Sequence, residues 1–378
     1  MRYFLLCWVL VLAPWTVSAR SDSASDAHKL KVIALPGIFS SPETSVGFGA
    51  LGIGTFRFRG EPDNSRASQV SIGLSYTLLD QVLAYVPYQL FWDQEKYKLY
   101  GELGWYRYVY RYYGIGPNHG YGTREDYDVT YPRIRVNLLR RAGRSTYVGI
   151  RYWLDDRTDL HYDPIGGLND GTIIGTAGGI TSGIGPVVNL DSRDNIFLPY
   201  SGVLAEASVL VNGDALGSDQ AFVQTSLEVS GFIPLRQISI SPGDQRLDQP
   251  VLGLNLVATA TDGEVPFYAF GLLGGAKHMR GYYEGFFRDK RMIEGQAEVR
   301  WPLFNRWKGN WKRFGVAGFG GLGTVAPSVK ALTMDNVVFS YGAGLRILLD
   351  REQGINLRVD YARGTGTSGF YLTIGEAF

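Results

Sequence analysis

Residues along much of this chain alternate one by one between apolar and polar. From Val337 to Leu349 the apolar set is Val337, Phe339, Tyr341, Ala343, Leu345, Ile347 and Leu349, against Ser340, Gly342, Gly344 and Arg346. Ile355, Leu357, Val359 and Tyr361 oppose Asn356, Arg358 and Asp360, and Ala297, Val299, Trp301 and Leu303 oppose Gln296, Glu298 and Arg300. Val148, Ile150, Tyr152 and Leu154 oppose Gly149, Arg151 and Trp153. A period of two gives each strand one apolar and one polar face. A soluble sandwich would turn the apolar face inward, and a membrane barrel would turn it toward lipid. The opposite face decides, because it carries Glu206, Glu228, Glu298, Arg300, Arg346, Arg358 and Asp360 among many glycines. The strands are also long, often about ten to thirteen residues, which suits a tilted membrane crossing. Many end in rings, as in YKLYGELGWYRYVYRYY, which suits an aromatic girdle at the membrane interface. In lipid every backbone group must be paired within the protein, so the sheet must close. The expected fold is all-β, a transmembrane antiparallel β-barrel of about 16 strands.

The start of the chain fits export. Arg2 precedes an apolar run from Tyr3 to Leu12, and Val17, Ser18 and Ala19 form a small-residue cleavage site. That is the layout of a secretory signal peptide over residues 1–19. Cys7 is the only cysteine and leaves with it, so the mature chain has no thiol chemistry. Without Arg2, 36 basic residues balance 36 acidic ones, and no basic stripe suggests a nucleic-acid partner. With 49 Gly and 24 Tyr, the composition points to strands joined by tight turns. Strand starts are expected near Val46, Ser68, Val82, Lys96, Arg111, Thr130, Thr146, Thr172, Gly202, Ala221, Val251, Lys290, Lys312, Val337, Ile355 and Ser368. This makes 20–45 a short periplasmic segment and 46–378 the barrel. An even count leaves both chain ends in the periplasm, and puts the turns near Asp80 and Gln353 on that side. Pro87 calls for a bulge.

The chemistry of soluble enzymes is missing. No nucleophile elbow, P-loop or His-Glu-x-x-His stretch occurs. His119 and His161 fall in expected extracellular loops near Asp126, Asp159 and Asp163, where solvated side chains are the rule. The chain is read as not an enzyme, with no cofactor. Its end, SGFYLTIGEAF, places Phe370, Leu372, Ile374 and Phe378 on one apolar face. The segment GGAKHMRGYYEGFFRDK, residues 274–290, is too irregular for a strand and unusually bulky for a loop.

Four stretches carry a resemblance. They are MRGYYEG, with Arg280, Gly281 and Tyr282; LDSRDNIFLPYSG, with Asp191, Arg193, Asp194, Asn195, Pro199 and Gly202; GQAEVRWPLF, with Glu298 and Arg300; and the aromatic C-terminus. In this order they resemble the BamA/TamA-like outer-membrane proteins, or surface-antigen barrels. The resemblance implies that the sixth extracellular loop folds back into the barrel, where Arg280 reaches an acid on the wall, with Glu298 the first candidate. It implies a periplasmic turn at Asp191–Gly202. It also implies that Phe370, Leu372, Ile374 and Phe378 form a signal read by the barrel assembly machinery. The family usually has an aspartate where this chain has Gly321, so the second acidic support of Arg280 is expected to be missing. Residues 20–44 leave no room for a POTRA domain of roughly 75 residues, so the resemblance covers the barrel alone. It implies a Gram-negative outer-membrane protein, set in outer-membrane lipid, that helps polypeptides insert or cross. Unfolded clients or a separate periplasmic partner would act with it. A seam between the Gly47–Gly54 strand and the last strand would open sideways. The alternative is a passive pore, a lipid-handling channel or a surface barrel without insertase activity.

Overall fold

The structure is a computed structural model that describes residues 30–63, 65–163, 165–169, 171–235, 249–303, 313–350 and 354–378. The expected signal peptide lies outside the described residues. The strands are β1 (Lys31–Ser41), β2 (Ser45–Phe56), β3 (Ser68–Thr77), β4 (Val82–Trp92), β5 (Tyr97–Tyr112), β6 (Glu125–Arg141), β7 (Thr146–Asp156), β8 (Asp159–Tyr162), β9 (Ile180–Asp191) and β10 (Gly202–Asn212). They continue as β11 (Phe222–Pro234), β12 (Val251–Gly263), β13 (Gly271–Leu273), β14 (Phe287–Asp289), β15 (Arg291–Pro302), β16 (Phe314–Ala326), β17 (Val338–Asp350), β18 (Ile355–Gly364) and β19 (Thr367–Ile374). β8 is a short flap on β6, and β13 and β14 form a separate two-stranded ladder. Among the described residues the other sixteen strands pair antiparallel with their neighbours, and β1 meets β19 to close a barrel.

The alternation separates the two faces as expected. Phe339, Tyr341 and Leu345 of β17 are exposed on the outside, whereas Ser340 and Arg346 are buried within. On β7, Val148 and Ile150 face out and Arg151 faces in. The outer face is an apolar band, and the charged residues share the enclosed interior.

The strand count was anticipated, but the first strands were not placed correctly. β1 occupies Lys31–Ser41, inside the segment expected to be periplasmic, and the Val46 strand is the second. KVIALPGIFSS does not alternate, and Pro36 removes a ladder donor, so neither usual strand signal was present. The error was offset by a strand expected near Arg111, which is the upper end of the unusually long β5. The Asp80 turn consequently lies at the end opposite the connection from β17 to β18. It is tied there by Gln81 Nε2, which donates to the main-chain oxygens of Glu43 and Val109. The strand expected from Thr172 starts at Ile180.

Pro87 sits in β4 without a bulge. β4 stays in register with β5 through Pro87↔Glu102, while the β3 ladder skips from Val70↔Tyr88 to Gly73↔Tyr85. The missing donor is thus absorbed by a local gap in one ladder. Pro186 of β9 behaves alike: β7 pairs with it, while the β10 ladder skips from Ser208↔Val187 to Val211↔Ile184.

Candidate functional site

The connection from β12 to β15 is the sixth at the loop end of the barrel. The β13–β14 ladder narrows it, and glycines at both turns let its tip double back: Gly274 and Gly281 have φ of +110°. Tyr282, Tyr283, Phe286 and Phe287 are buried with Met279, Tyr113, Met292 and Val325. Burial of four rings supplies the area that holds this loop in place.

Arg280 lies at the tip, with no exposed surface. Its Nη2 donates to Glu298 of β15 and its Nη1 to Asp360 of β18, each at 2.5 Å. The guanidinium also lies over the Phe319 ring, 3.5 Å from its centre. These acids serve other arginines too. Glu298 accepts from Arg300 at 2.8 Å and Arg346 at 3.3 Å. Asp360 accepts from Arg346 at 2.6 Å, with Arg358 at 3.5 Å. Glu376 accepts from Arg346 and Asn356, both at 2.8 Å. Four arginines therefore interlock with three side-chain carboxylates, and Arg300 also donates to the main-chain oxygen of Phe378. Bridged, charge-assisted bonds are what allow charges to persist where water is scarce.

The loop tip is also stitched to the last strands. The Gly281 amide donates to Tyr371 Oη of β19, and Thr367 Oγ1 donates to the Gly281 carbonyl, both at 2.8 Å. A Cβ at Gly281 would lie 2.7 Å from the Arg363 carbonyl carbon, so only glycine allows this approach. Tyr282 Oη donates to the Phe339 carbonyl and accepts from the Thr365 amide.

The expectation that Arg280 lacks a second acid is corrected. Asp360, two strands beyond Gly321, supplies it. Gly321 is needed for space: a Cβ there would lie 2.9 Å from both Met279 Sδ and Gln296 Cγ. Sequence reading missed Asp360, Arg346, Glu376 and Tyr371 as members. The available signal was Asp360 itself, an acid two residues after Arg358 on a face that a closed barrel must enclose.

The Asp191–Gly202 stretch is a turn at the opposite end. Asp191 Oδ1 accepts from Arg193 Nε at 3.0 Å, and Arg66 lies 3.7 Å away. Asp194 accepts from the Tyr200 and Ser201 amides, and Asn195 from the Phe197 and Leu198 amides. Gly202, φ +104°, has no room for a Cβ beside the Ser192 carbonyl. Pro199 follows Leu198, which packs with Tyr200 against Phe232, Val251 and Leu348. The turn reaches across the barrel mouth, since a Cβ on Gly354 would lie 3.0 Å from the Leu198 Cβ.

The terminal aromatic does not stay on the face expected of it. Phe370 and Ile374 are exposed outside, with Leu372 half-buried. β19 ends at Ile374, and Gly375, φ +87°, turns the chain inward. Phe378 instead packs near Phe232 and under Arg300, which donates to its main-chain oxygen at 2.9 Å. The seam also differs. The Gly47–Gly54 strand pairs with β1 and β3, and β19 meets β1 instead. His161 is exposed beside Asp159, whereas His119 stacks on Phe287.

The Omp85 superfamily domain model matches residues 66–378. Comparison with curated protein sequences finds no match. Among solved structures, BamA from Haemophilus ducreyi lacking POTRA domains 1–3 is similar at a TM-score of 0.58 and 14% identity, over 92% of this chain and 70% of that one. CdiB from Acinetobacter baumannii is similar at 0.55 and 14% identity, over 91% of this chain and 60% of that one. These likenesses share the barrel fold. The chain belongs to the Omp85 superfamily.

Proposed function

We propose that this barrel resides in the bacterial outer membrane and assists polypeptides to insert into or cross it. The observation that carries this reading is the unequal closure of the barrel. β1 pairs with β2 from Lys31↔Thr55 to Ser41↔Ser45, yet it meets β19 only at Ser40↔Leu372. Unpaired strand edges in lipid are costly and accept an incoming strand. A client hairpin could use those free edges as a template. The interior argues against the passive pore, because loop six and the Asp191–Gly202 turn occupy it from both ends. Loop six also braces β19 through Tyr371 and Thr367, so it holds one side of the seam while the other is free.

The test is reconstitution of the barrel in liposomes with an unfolded outer-membrane client. Insertion is expected to be faster than in empty liposomes. A Ser40→Cys/Leu372→Cys disulfide across the one register pair should abolish the gain, and reductant should restore it. Equal insertion with and without the barrel, or a gain indifferent to the disulfide, would overturn the reading. Steady ion conductance without insertion would favour the pore.

A further inference from the structure

The interior holds a second cluster, apart from the arginine lock. Strands β5, β6, β7 and β9 to β11 enclose, with loop six, a cavity of about 360 Å³. That is within the range of small-molecule sites. Its charge is gathered at one point. Arg133, Arg135 and Arg157 converge on a single carboxylate, Asp155, at 3.1, 2.7 and 3.5 Å. Glu102 adds a second acid, 3.8 Å from Arg133. Three guanidiniums thus face two carboxylates, while Arg288 and Glu284 on the loop side cancel.

Two donors on the same walls are idle. Tyr268 Oη and Trp153 Nε1 are buried with no hydrogen-bond partner among the described residues. An indole N–H can only donate, and a buried donor left unpaired is costly. Arg157 is buried, lies 4.1 Å over the Tyr131 ring and touches Asp155 only at its longest distance. Surplus positive charge and orphaned donors together call for an acceptor-rich anion.

We propose that this chamber binds a small water-soluble oxyanion, a phosphate- or carboxylate-bearing molecule held by Arg135 and Arg157 with Tyr268 and Trp153 donating. A lipid headgroup is the less fitting source. Every strand of this wall is hydrogen-bonded to its neighbours, and the free edges lie elsewhere, at β1 and β19. A tethered acyl chain would have only the short ladder skip at Pro186 to pass through.

The test uses the full barrel, folded in uncharged detergent, titrated with inorganic phosphate at constant ionic strength. Binding is followed by calorimetry and by tryptophan fluorescence, with chloride as control. The expected result is saturable phosphate binding, weakened at least tenfold in Arg157→Gln. Tyr268→Phe removes one unpartnered hydroxyl and keeps the fold, and it should weaken binding severalfold even if Arg157→Gln does not fold. Non-saturating titration, a response matched by chloride, or unchanged affinity in Tyr268→Phe and in folded Arg157→Gln would overturn the proposal. So would competition by phosphatidic acid in the micelle, which would assign the site to a lipid headgroup.

Discussion

Removing Arg280 and removing Glu298 disturb one buried network in unequal ways. Arg280→Ala deletes two charge-assisted bonds, to Glu298 and Asp360, each worth about 1.5–3 kcal/mol. It leaves three arginines facing three side-chain acids, and it also relieves the cost of keeping the Arg280 cation away from water, which offsets part of that loss. We expect a net loss of about 2–4 kcal/mol. Glu298→Ala leaves four arginines with two acids, and Arg280, Arg300 and Arg346 each lose an acceptor. Stranding buried charge costs about 3–5 kcal/mol, so this variant should be the weaker of the two. In the double variant one stranded cation is gone, and its stability should match Glu298→Ala alone, a coupling equal in size to the Arg280→Ala loss, about 2–4 kcal/mol. Urea unfolding in detergent micelles, read by tryptophan fluorescence and heat-modifiable gel mobility, gives the midpoints. Trypsin cleavage at the exposed Lys277 reports release of the loop. If Arg280→Ala is as damaging as Glu298→Ala, or the two effects simply add, the charge-balance reasoning fails.

Burial in the β1–β2 turn, with Glu284 nearby, pushes the Glu43 carboxyl from its ordinary 4.5 to about 7. The folded chain therefore holds a proton that the unfolded chain releases near pH 4.5. This group's contribution, roughly 2–4 kcal/mol, is complete below that pH and lost as pH rises to about 7; Glu43→Gln should flatten the dependence of the unfolding midpoint across this window, and an unchanged slope would refute it. Leu345→Arg on the lipid face should cost about 2–4 kcal/mol at mid-bilayer, measured by unfolding in lipid vesicles, with no cost counting against the outward assignment. Gly321→Asp should loosen loop six by pushing Met279 from its seat, at about 1–3 kcal/mol, and faster trypsin cleavage at Lys277 than in the unaltered chain is the readout.

Much of the wall was legible, because the interior and the bilayer impose opposite chemistries on alternate residues. Leu345 and Arg346 declare their sides from sequence alone. β1 was not legible, since it is held chiefly by its long backbone ladder with β2, and backbone pairing leaves no side-chain pattern. That one omission reversed the side assigned to the Asp80 turn. In the site, Arg280 and Glu298 stood out as charges that a closed interior must match. Asp360 did not, because its link to Arg280 depends on how far the loop reaches across the barrel. Phe378 misled for a local reason: period two holds only while the chain is extended, and Gly375 ends that three residues early.

The turn at Asp191–Gly202 has a consequence for the order of assembly. Leu198 and Tyr200 pack partly on the nearby β11 and β12, but their cluster is completed by Leu348 of β17, about 150 residues beyond Leu198. Closing so long a loop is entropically uphill until the late hairpin is already in place. The mouth of the barrel therefore seals last, and a chain stalled before β17 would keep a wet, unsealed base that proteases can recognise as unfinished.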